Sequence, residues 1–570
     1  MIDNNILQII IYFSVLLLLI KPIGIYIAGI FTGAYDNKSY YTIKILLYIE
    51  QQIYRICNIS PQQCMNWKEY AKSILIFNFL GFVLIYLIQR WQIFLPLNSQ
   101  NFGSVTPDVA FNTAASVVTN TNWQAYVGES SLSYFTQMIG LTVQNFISAA
   151  TGMAVLLALI RGIKGSEISH LGNFWVDIVR GIIYIFIPFS IILSLLLVSQ
   201  GVPQNLKNYQ YTETKSIIPM GPVASQIAIK QLGTNGGGYF NANAAHPFEN
   251  PTPLSNFLAM LAIMIIPASL CYTFGLMIKD VKQGWTLLLA MLLILIPCSI
   301  LTVIIENNNN KILSNITLNN HKIVLSGSNM EGKEVRFGSL NSGLWATITT
   351  ATSNGSVNSM HSSFYPLGGL IPLWLISLGE IIFGGVGSGL YQMLIFVMLT
   401  VFFCGLMVGR TPEYLGKKIE TFEIKMASFA ILVTPIMVLV GTAAALITNI
   451  GRSGISNFGA HGLTEVLYAF SSMFNNNGSS FAGIKSNVFY NMVGGFGMLI
   501  GRYWIIISVL AIAGSFARKK FIPNSSGTLP TDNLLFVSIL VFFIIMIGSL
   551  IFLPAFLLGP VLEHLIMLDN

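Results

Sequence analysis

Long apolar runs alternate with short polar stretches along this chain. The runs lie at about 6–30, 70–89, 131–160, 173–199, 254–278, 284–305, 367–409, 424–448, 488–516 and 531–558. Crossing a bilayer core takes about 20 apolar residues in a helix, so the pattern predicts about ten spans. After the second, fourth, sixth and eighth spans comes a shorter, half-apolar stretch: DVAFNTAASVV, PVASQIAIKQL, GLWATITTA and LTEVLYAFSSM. At about ten residues these are too short to cross and read as re-entrant half-helices. Each leads into a polar, uncharged segment: TNTNW from Thr119, GTNGGG from Gly233, TSNGS from Thr352 and NNNGS from Asn475.

The unit of helix, half-helix, polar loop and helix is thus written four times, with one further helix at each end. Three loops share a small polar residue followed by Asn and Gly: Thr234-Asn235-Gly236, Ser353-Asn354-Gly355 and Asn476-Asn477-Gly478. Gly236 and Gly355 are 119 residues apart, Gly355 and Gly478 are 123 apart, and Asn122 precedes Gly236 by 114. That period is too long for a solenoid, and four copies around one axis make a pore. The expected fold class is an all-α polytopic membrane protein. Its expected units are an N-terminal helix and inner loop (1–69), repeats over 70–165, 166–283, 284–420 and 421–520, and a C-terminal helix (521–570).

Composition agrees with the pattern: 54% of residues are hydrophobic, 9% are charged, and mean hydropathy is +0.69. These values exclude a soluble multidomain protein. The net charge of +7 concerns orientation rather than nucleic acid, because Lys and Arg set membrane topology. With the N-terminus outside, all five inner loops are basic: Lys38, Lys44, Arg55, Lys68 and Lys72; Arg161 and Lys164; Lys279 and Lys282; Arg410, Lys417, Lys418 and Lys425; Arg518, Lys519 and Lys520. Lys311, Lys322, Lys333 and Arg336 fall in an outer loop beside Glu306, Glu331 and Glu334. The first apolar run has no basic residue before it and no small-residue cleavage site after it, and reads as a retained helix. Cys57, Cys64, Cys271, Cys298 and Cys404 are scattered, which indicates neither a disulfide framework nor a zinc site.

The polar loops suit a cation filter. Backbone carbonyls can replace an ion's hydration shell, Gly permits the dihedrals this needs, and Asn, Thr and Ser bring further uncharged oxygens. No Asp or Glu lies in the four cores, which points to a monovalent ion. Each half-helix, entering from outside, aims its negative C-terminal end at its loop. Gly384, Gly385, Gly387 and Gly389 interrupt the 367–409 run. A single crossing by a broken helix keeps the basic loops inside, and its break is a candidate gate or a packing kink. Glu380, just before the break, either attracts a cation leaving the filter or pairs with Arg410 or Arg502. Asp177 and Arg180 read as interfacial, and His246 and His361 as hydrogen-bonded loop residues. Gly327 to Lys333 (GSNMEGK) has P-loop spacing, but Glu334 replaces the Ser or Thr that magnesium needs. No D-K-T-G phosphorylation site occurs.

Longer strings carry a resemblance: GTNGGGYFNANAAHPFENP from Gly233, MEGKEVRFG from Met330, GEIIFGGVGSGLYQM from Gly379, GRTPEYLGKKIE from Gly409 and NNNGSSFAG from Asn475. With MNWKEY, TLPTD and LGPVLEHL they extend over nearly the whole chain. They closely resemble the potassium-binding A subunits of bacterial Kdp potassium-transporting ATPases. The resemblance implies the potassium-channel-like transporter superfamily, with four helix, pore-helix, helix repeats and two flanking helices.

It implies a non-catalytic subunit that takes K+ from outside, binds it in a four-loop filter and passes it through an intramembrane tunnel to a P-type ATPase subunit (KdpB). A C subunit (KdpC) and a small F subunit (KdpF) complete the complex, in the bacterial inner membrane with both termini outside. The transported K+ is the bound ion, and this chain holds no nucleotide. Membrane lipid surrounds it, and no nucleic acid is a partner. By position the filter falls on Thr119, Asn120, Thr121 and Asn122; Thr234, Asn235 and Gly236; Ser353, Asn354 and Gly355; and Asn476, Asn477 and Gly478. The ion path includes Gln124, whose position resembles one beneath the filter and whose side-chain carbonyl offers a next ligand, and Glu380. Trp123 stands where other loops have Gly, leaving Asn120 and Asn122 as alternative axial residues. Asn354 stands where Cys is common in the family. A stand-alone potassium channel or symporter subunit of the same superfamily is the alternative. An intramembrane enzyme built on Glu380, His246 and His361 is a second.

Overall fold

The computed structural model describes residues 2–33, 41–211, 213, 217–308, 317–318, 321–322, 327–409, 411–523 and 528–569. Lys38, Lys311 and Arg410 lie outside these. Ten helices among the described residues are long and apolar enough to cross a membrane. They run over Ile6–Phe31, Trp67–Phe94, Thr136–Lys164, Phe174–Ser199, Pro253–Met277, Val281–Glu306, Ser388–Val408, Thr421–Ile447, Val488–Arg518 and Leu534–Asp569. Four shorter helices, Pro107–Val118, Val223–Leu232, Gly338–Ala351 and Gly459–Phe474, fill the gaps where half-helices are expected. At 1.5 Å per residue the longest of them, 16 residues, reaches about 24 Å, short of a bilayer core of about 30 Å.

The two long helices of each repeat differ in burial. In repeat order, 28%, 44%, 50% and 39% of an apolar 18-residue stretch of the first helix is buried, against 83%, 83%, 61% and 67% for the second. The second helices therefore form the inner wall, and the first face outward with apolar side chains that lipid can solvate. Polar residues follow this division. Gln144, Asn145, Ser148 and Thr151 are buried on the second helix of the first repeat, where they face protein rather than lipid.

Several elements differ from expectation. The first inner loop contains a helix, Tyr41–Ile56, too polar and short to read as a span. The last run continues past a kink at Gly559. In the seventh, Pro366–Ser377 is helical, the chain is irregular from Leu378 to Gly387, and the helix restarts at Ser388. Gly389 therefore lies in the first helical turn rather than in the break. It is needed there because a Cβ would collide with the Phe383 carbonyl.

Asp177 and Arg180 are not simply interfacial. Asp177 is buried and takes a two-pronged ion pair from Arg161 at 2.6 and 2.7 Å, and the Tyr70 hydroxyl donates to it at 2.9 Å. Arg180 meets Glu50 of the unanticipated helix at 2.9 Å. Charges from separate inner segments thus neutralise one another and tie the second repeat to the first and to the N-terminal region. Asp177→Ala leaves Arg161 uncompensated and is expected to cost about 3 kcal/mol, measured as a lower unfolding midpoint in detergent. Arg161→Met in the same chain is expected to restore most of it, since both charges are then gone.

Candidate functional site

The four half-helices hand their last turn to the following loop in one way. The backbone N–H groups of Thr121, Asn235, Asn354 and Asn477 donate to the carbonyls of Ser116, Lys230, Thr349 and Ser472 at 2.9, 2.9, 3.0 and 2.8 Å. The residue before each, Asn120, Thr234, Ser353 or Asn476, has φ of +62, +50, +47 or +54°. The residue after each, Asn122, Gly236, Gly355 or Gly478, has φ of +51, +86, +87 or +91°. Left-handed backbone on both sides of the central residue turns successive N–H groups back toward the half-helix: the N–H groups of Asn122, Gly236 and Gly478 also donate to the Ser116, Lys230 and Ser472 carbonyls.

This geometry sets the register of the first loop. Asn122, not Trp123, occupies the glycine position, and Thr121 matches the central Asn of the other loops, so neither Asn120 nor Asn122 is its counterpart. The substitution is accommodated next door: a Cβ on Gly237 would sit 2.9 Å from the Asn122 Cβ. The residues equivalent to Gly237 are Trp123, Ser356 and Ser479, so glycine appears in the quarter that faces the bulkier neighbour.

The loops close a ring in chain order. Asn235 Nδ2 donates to Asn120 Oδ1 at 2.5 Å, Asn354 Nδ2 to the Lys230 carbonyl at 3.2 Å, Asn477 Nδ2 to the Thr349 carbonyl at 3.2 Å, and Asn476 Nδ2 to Thr121 Oγ1 at 2.9 Å. Side-chain oxygens are largely used as braces: Asn354 Oδ1 accepts from Ser356 N, and Asn477 Oδ1 from Ser479 N. Asn354 and Asn477 thus brace their own loops, whereas Asn122 Oδ1 and Asn235 Oδ1 are buried without a hydrogen-bond partner among the described residues. A Cβ on Gly236, Gly355 or Gly478 would collide with the carbonyl of Asn354, Asn477 or Thr121 in the next loop. The backbones meet too closely for any side chain.

One layer of oxygens is complete. Among the described residues no hydrogen bond reaches the carbonyls of Thr121, Asn235, Asn354 or Asn477, and all four residues are 0% exposed. Buried carbonyls are rarely left without a partner, because desolvation is then uncompensated. A dehydrated monovalent cation is the partner such a set of neutral dipoles fits.

The helix break packs against one end of this ring. Val386 N donates to Thr234 Oγ1 at 2.9 Å and Gly384 N to the Ala351 carbonyl at 3.1 Å. A Cβ at Gly152, on the first repeat's inner helix, would collide with the Val386 carbonyl. Gly385 lies beside Ser388 and Glu380, and Gly387, at φ +80°, caps the restarted helix. Glu380 is buried and pairs with Arg502 at 2.8 Å, and Gln392 donates to it at 3.2 Å. Arg502 is thus a partner of Glu380, while Arg410 lies outside the described residues. Gln124 is used differently from expectation. Its amide clamps Gly238 of the second loop, accepting from Gly238 N and donating to its carbonyl, both at 3.0 Å.

The histidines serve packing. His246 stacks on Phe240 at 4.0 Å, and burial lowers its pKa. His361 Nδ1 lies 2.7 Å from the Tyr468 hydroxyl, and burial pulls it down to about 3. Each is held by a different neighbour. Lys333 of the P-loop-like string is buried against Glu306 at 2.9 Å and over the Phe364 ring at 4.4 Å. Lys230 is a residue that sequence reading passed over, a fully buried cation in the second half-helix paired with Glu249 at 2.5 Å. Its signal was one charge among small or apolar neighbours, where the equivalent positions are Ser116, Thr349 and Ser472.

Ten apolar helices around a closed ring of uncharged backbone oxygens define an all-α polytopic membrane protein with a fourfold pseudo-symmetric, pore-like centre. The family described as the potassium-transporting ATPase A subunit matches residues 10–565, and the chain belongs to it. It is 52% identical to a protein of Methylococcus capsulatus, with 99% of each chain covered. Identity is 53% to one of Herpetosiphon aurantiacus, covering 100% of both. It is 55% to one of Sorangium cellulosum, covering 98% of this chain and 99% of the other. Each of these relatives is named a potassium-transporting ATPase potassium-binding subunit.

Gly237→Ser should overpack against Asn122 and cost about 1–3 kcal/mol, read as a lower unfolding midpoint. Adding Asn122→Gly removes the side chain that the new serine would strike and is expected to recover the loss. A Gly237→Ser protein as stable as the parent would refute the compensation.

Proposed function

We propose that this chain is the potassium-binding and translocating subunit of an ATP-driven, high-affinity potassium import complex. The carrying observation is the layer of four buried, unbonded carbonyls at Thr121, Asn235, Asn354 and Asn477. In this reading Thr119 to Asn122, Thr234 to Gly236, Ser353 to Gly355 and Asn476 to Gly478 form the selectivity filter. Potassium enters from outside, exchanges water for the carbonyls and rests in the ring. The dipoles of four half-helices, whose C-terminal ends meet the loops, favour the positive charge.

The break at Gly384, Gly385 and Gly387, bonded to Thr234 and Ala351, obstructs direct passage inward. Glu380 offers a carboxylate beyond the filter, balanced by Arg502. The ion then leaves sideways, through an intramembrane tunnel, toward a P-type ATPase subunit (KdpB) that hydrolyses ATP; KdpC and KdpF complete the assembly. The tunnel and these partners rest on the family resemblance. The chain is non-catalytic and sits in the bacterial inner membrane with both termini outside. Its repeats span 70–165, 166–283, 284–420 and 421–520, flanked by 1–69 and 521–570.

In the assembled complex, Gly236→Asp is expected to raise the potassium concentration for half-maximal ATPase stimulation by at least about tenfold and to weaken discrimination against sodium. The added side chain strikes the Asn354 carbonyl and brings charge to a neutral ring. Unchanged affinity and discrimination would defeat the filter assignment. The chain purified alone into liposomes is expected to carry no potassium flux above that of empty vesicles. Sustained flux would favour a stand-alone channel instead.

A further inference from the structure

The second quarter of the ring differs from the other three in a way that points to a positioning device. Among the described residues the carbonyls of Asn122, Gly355 and Gly478 accept no hydrogen bond, whereas the equivalent Gly236 carbonyl accepts from Asn243 Nδ2 at 2.7 Å. The other end of the same amide, Asn243 Oδ1, accepts from Lys230 Nζ at 2.6 Å. Lys230 Nζ also donates to Glu249 Oε2 at 2.5 Å, and Glu249 Oε1 accepts from Phe240 N at 2.8 Å. Lys230 and Glu249 side chains are 0% exposed.

We propose that Lys230, Glu249 and Asn243 form a relay that holds the Gly236 carbonyl back from the ion, so that the layer it belongs to offers three oxygens instead of four. The chemistry follows from the amide between the two groups. An ammonium on its oxygen polarises the Asn243 N–H bonds and strengthens the one given to Gly236, since hydrogen bonds in a chain reinforce each other at low dielectric. Gly236 needs such a restraint, because a glycine at positive φ can reorient its peptide at little cost. Glu249 cancels the lysine charge, so the device holds a carbonyl without adding a field that repels cations. Asn243 itself has φ of +54°, a conformation that fits Asn and Gly better than other residues. Lys230 acts through Asn243 and is a positioning residue. The relay makes the ring two unequal layers, one with four free carbonyls and one with three, so an ion is held less firmly at the second.

The inference rests on the filter reading above. Its test uses the assembled complex, with potassium, rubidium and sodium each titrated as stimulants of ATPase activity. Asn243→Gly keeps the backbone conformation and the Lys230–Glu249 pair and removes only the amide. It is expected to shift the ratio of half-stimulating rubidium to potassium by about tenfold, the scale of one hydrogen bond, with maximal rate within about twofold. Lys230→Met with Glu249→Gln removes both charges together and is expected to shift the same ratio in the same direction. A purely structural role predicts instead a lower unfolding midpoint with wild-type ratios in both variants, and that result overturns the relay. If the double variant does not assemble, Asn243→Gly decides alone. Gly236→Asp run in parallel separates the two ideas. Should it be silent, the filter reading falls and the relay with it. Should it act while Asn243→Gly is silent, the relay alone falls.

Discussion

Everything in this molecule is arranged around four buried peptide carbonyls that accept no hydrogen bond among the described residues. An unbonded carbonyl in a dry interior is costly, and four together repel one another. They persist because the backbone on either side is over-determined. Each loop is tied to its half-helix five residues back, bridged to its neighbours by asparagine amides, and pressed against the next loop where no side chain fits. Inner helices carrying buried Asn, Gln and Ser surround the ring, and outer helices separate it from lipid. On the reading proposed above, a dehydrated potassium ion supplies the missing partner.

The four quarters share a backbone and differ in how they are held. In the first, Asn122 stands in for glycine and Gly237 yields the space. In the second, a buried ion pair lies behind the loop. The third and fourth are the most alike, with Gly-Ser following the central Asn in both. A single chain can make such local adjustments independently, which four identical subunits cannot. The break in the inner helix of the third repeat is the largest departure. It bonds to Thr234 of the second repeat and packs on Gly152 of the first, so one irregular segment touches several quarters.

Charge is distributed by the same logic. Four buried ion pairs stand out: Asp177 with Arg161, Lys230 with Glu249, Lys333 with Glu306, and Glu380 with Arg502. Each joins segments apart in the chain, and each leaves the central ring neutral. Removing one member leaves a bare buried charge, whereas removing both is far milder, so these pairs specify which segments meet.

The alternation of apolar runs and polar gaps by itself determined the ten spans, the half-helices, the fourfold repeat and the uncharged character of the loops. The bilayer explains why: a crossing needs a fixed length of apolar helix, and polar backbone at depth needs shelter, so both constraints leave marks along the sequence. Only the tertiary structure decided which oxygens are free, where the first loop's register falls, and that Gln124 and most of the asparagine amides brace the ring. It also paired Glu380 with Arg502, 122 residues away, and drew Lys230 into the wall behind the second loop. Those outcomes depend on left-handed dihedrals imposed by neighbouring loops and on partners distant in the chain. Neither leaves a periodic signal, because a residue's spacing says which face it occupies and not which atom it will meet.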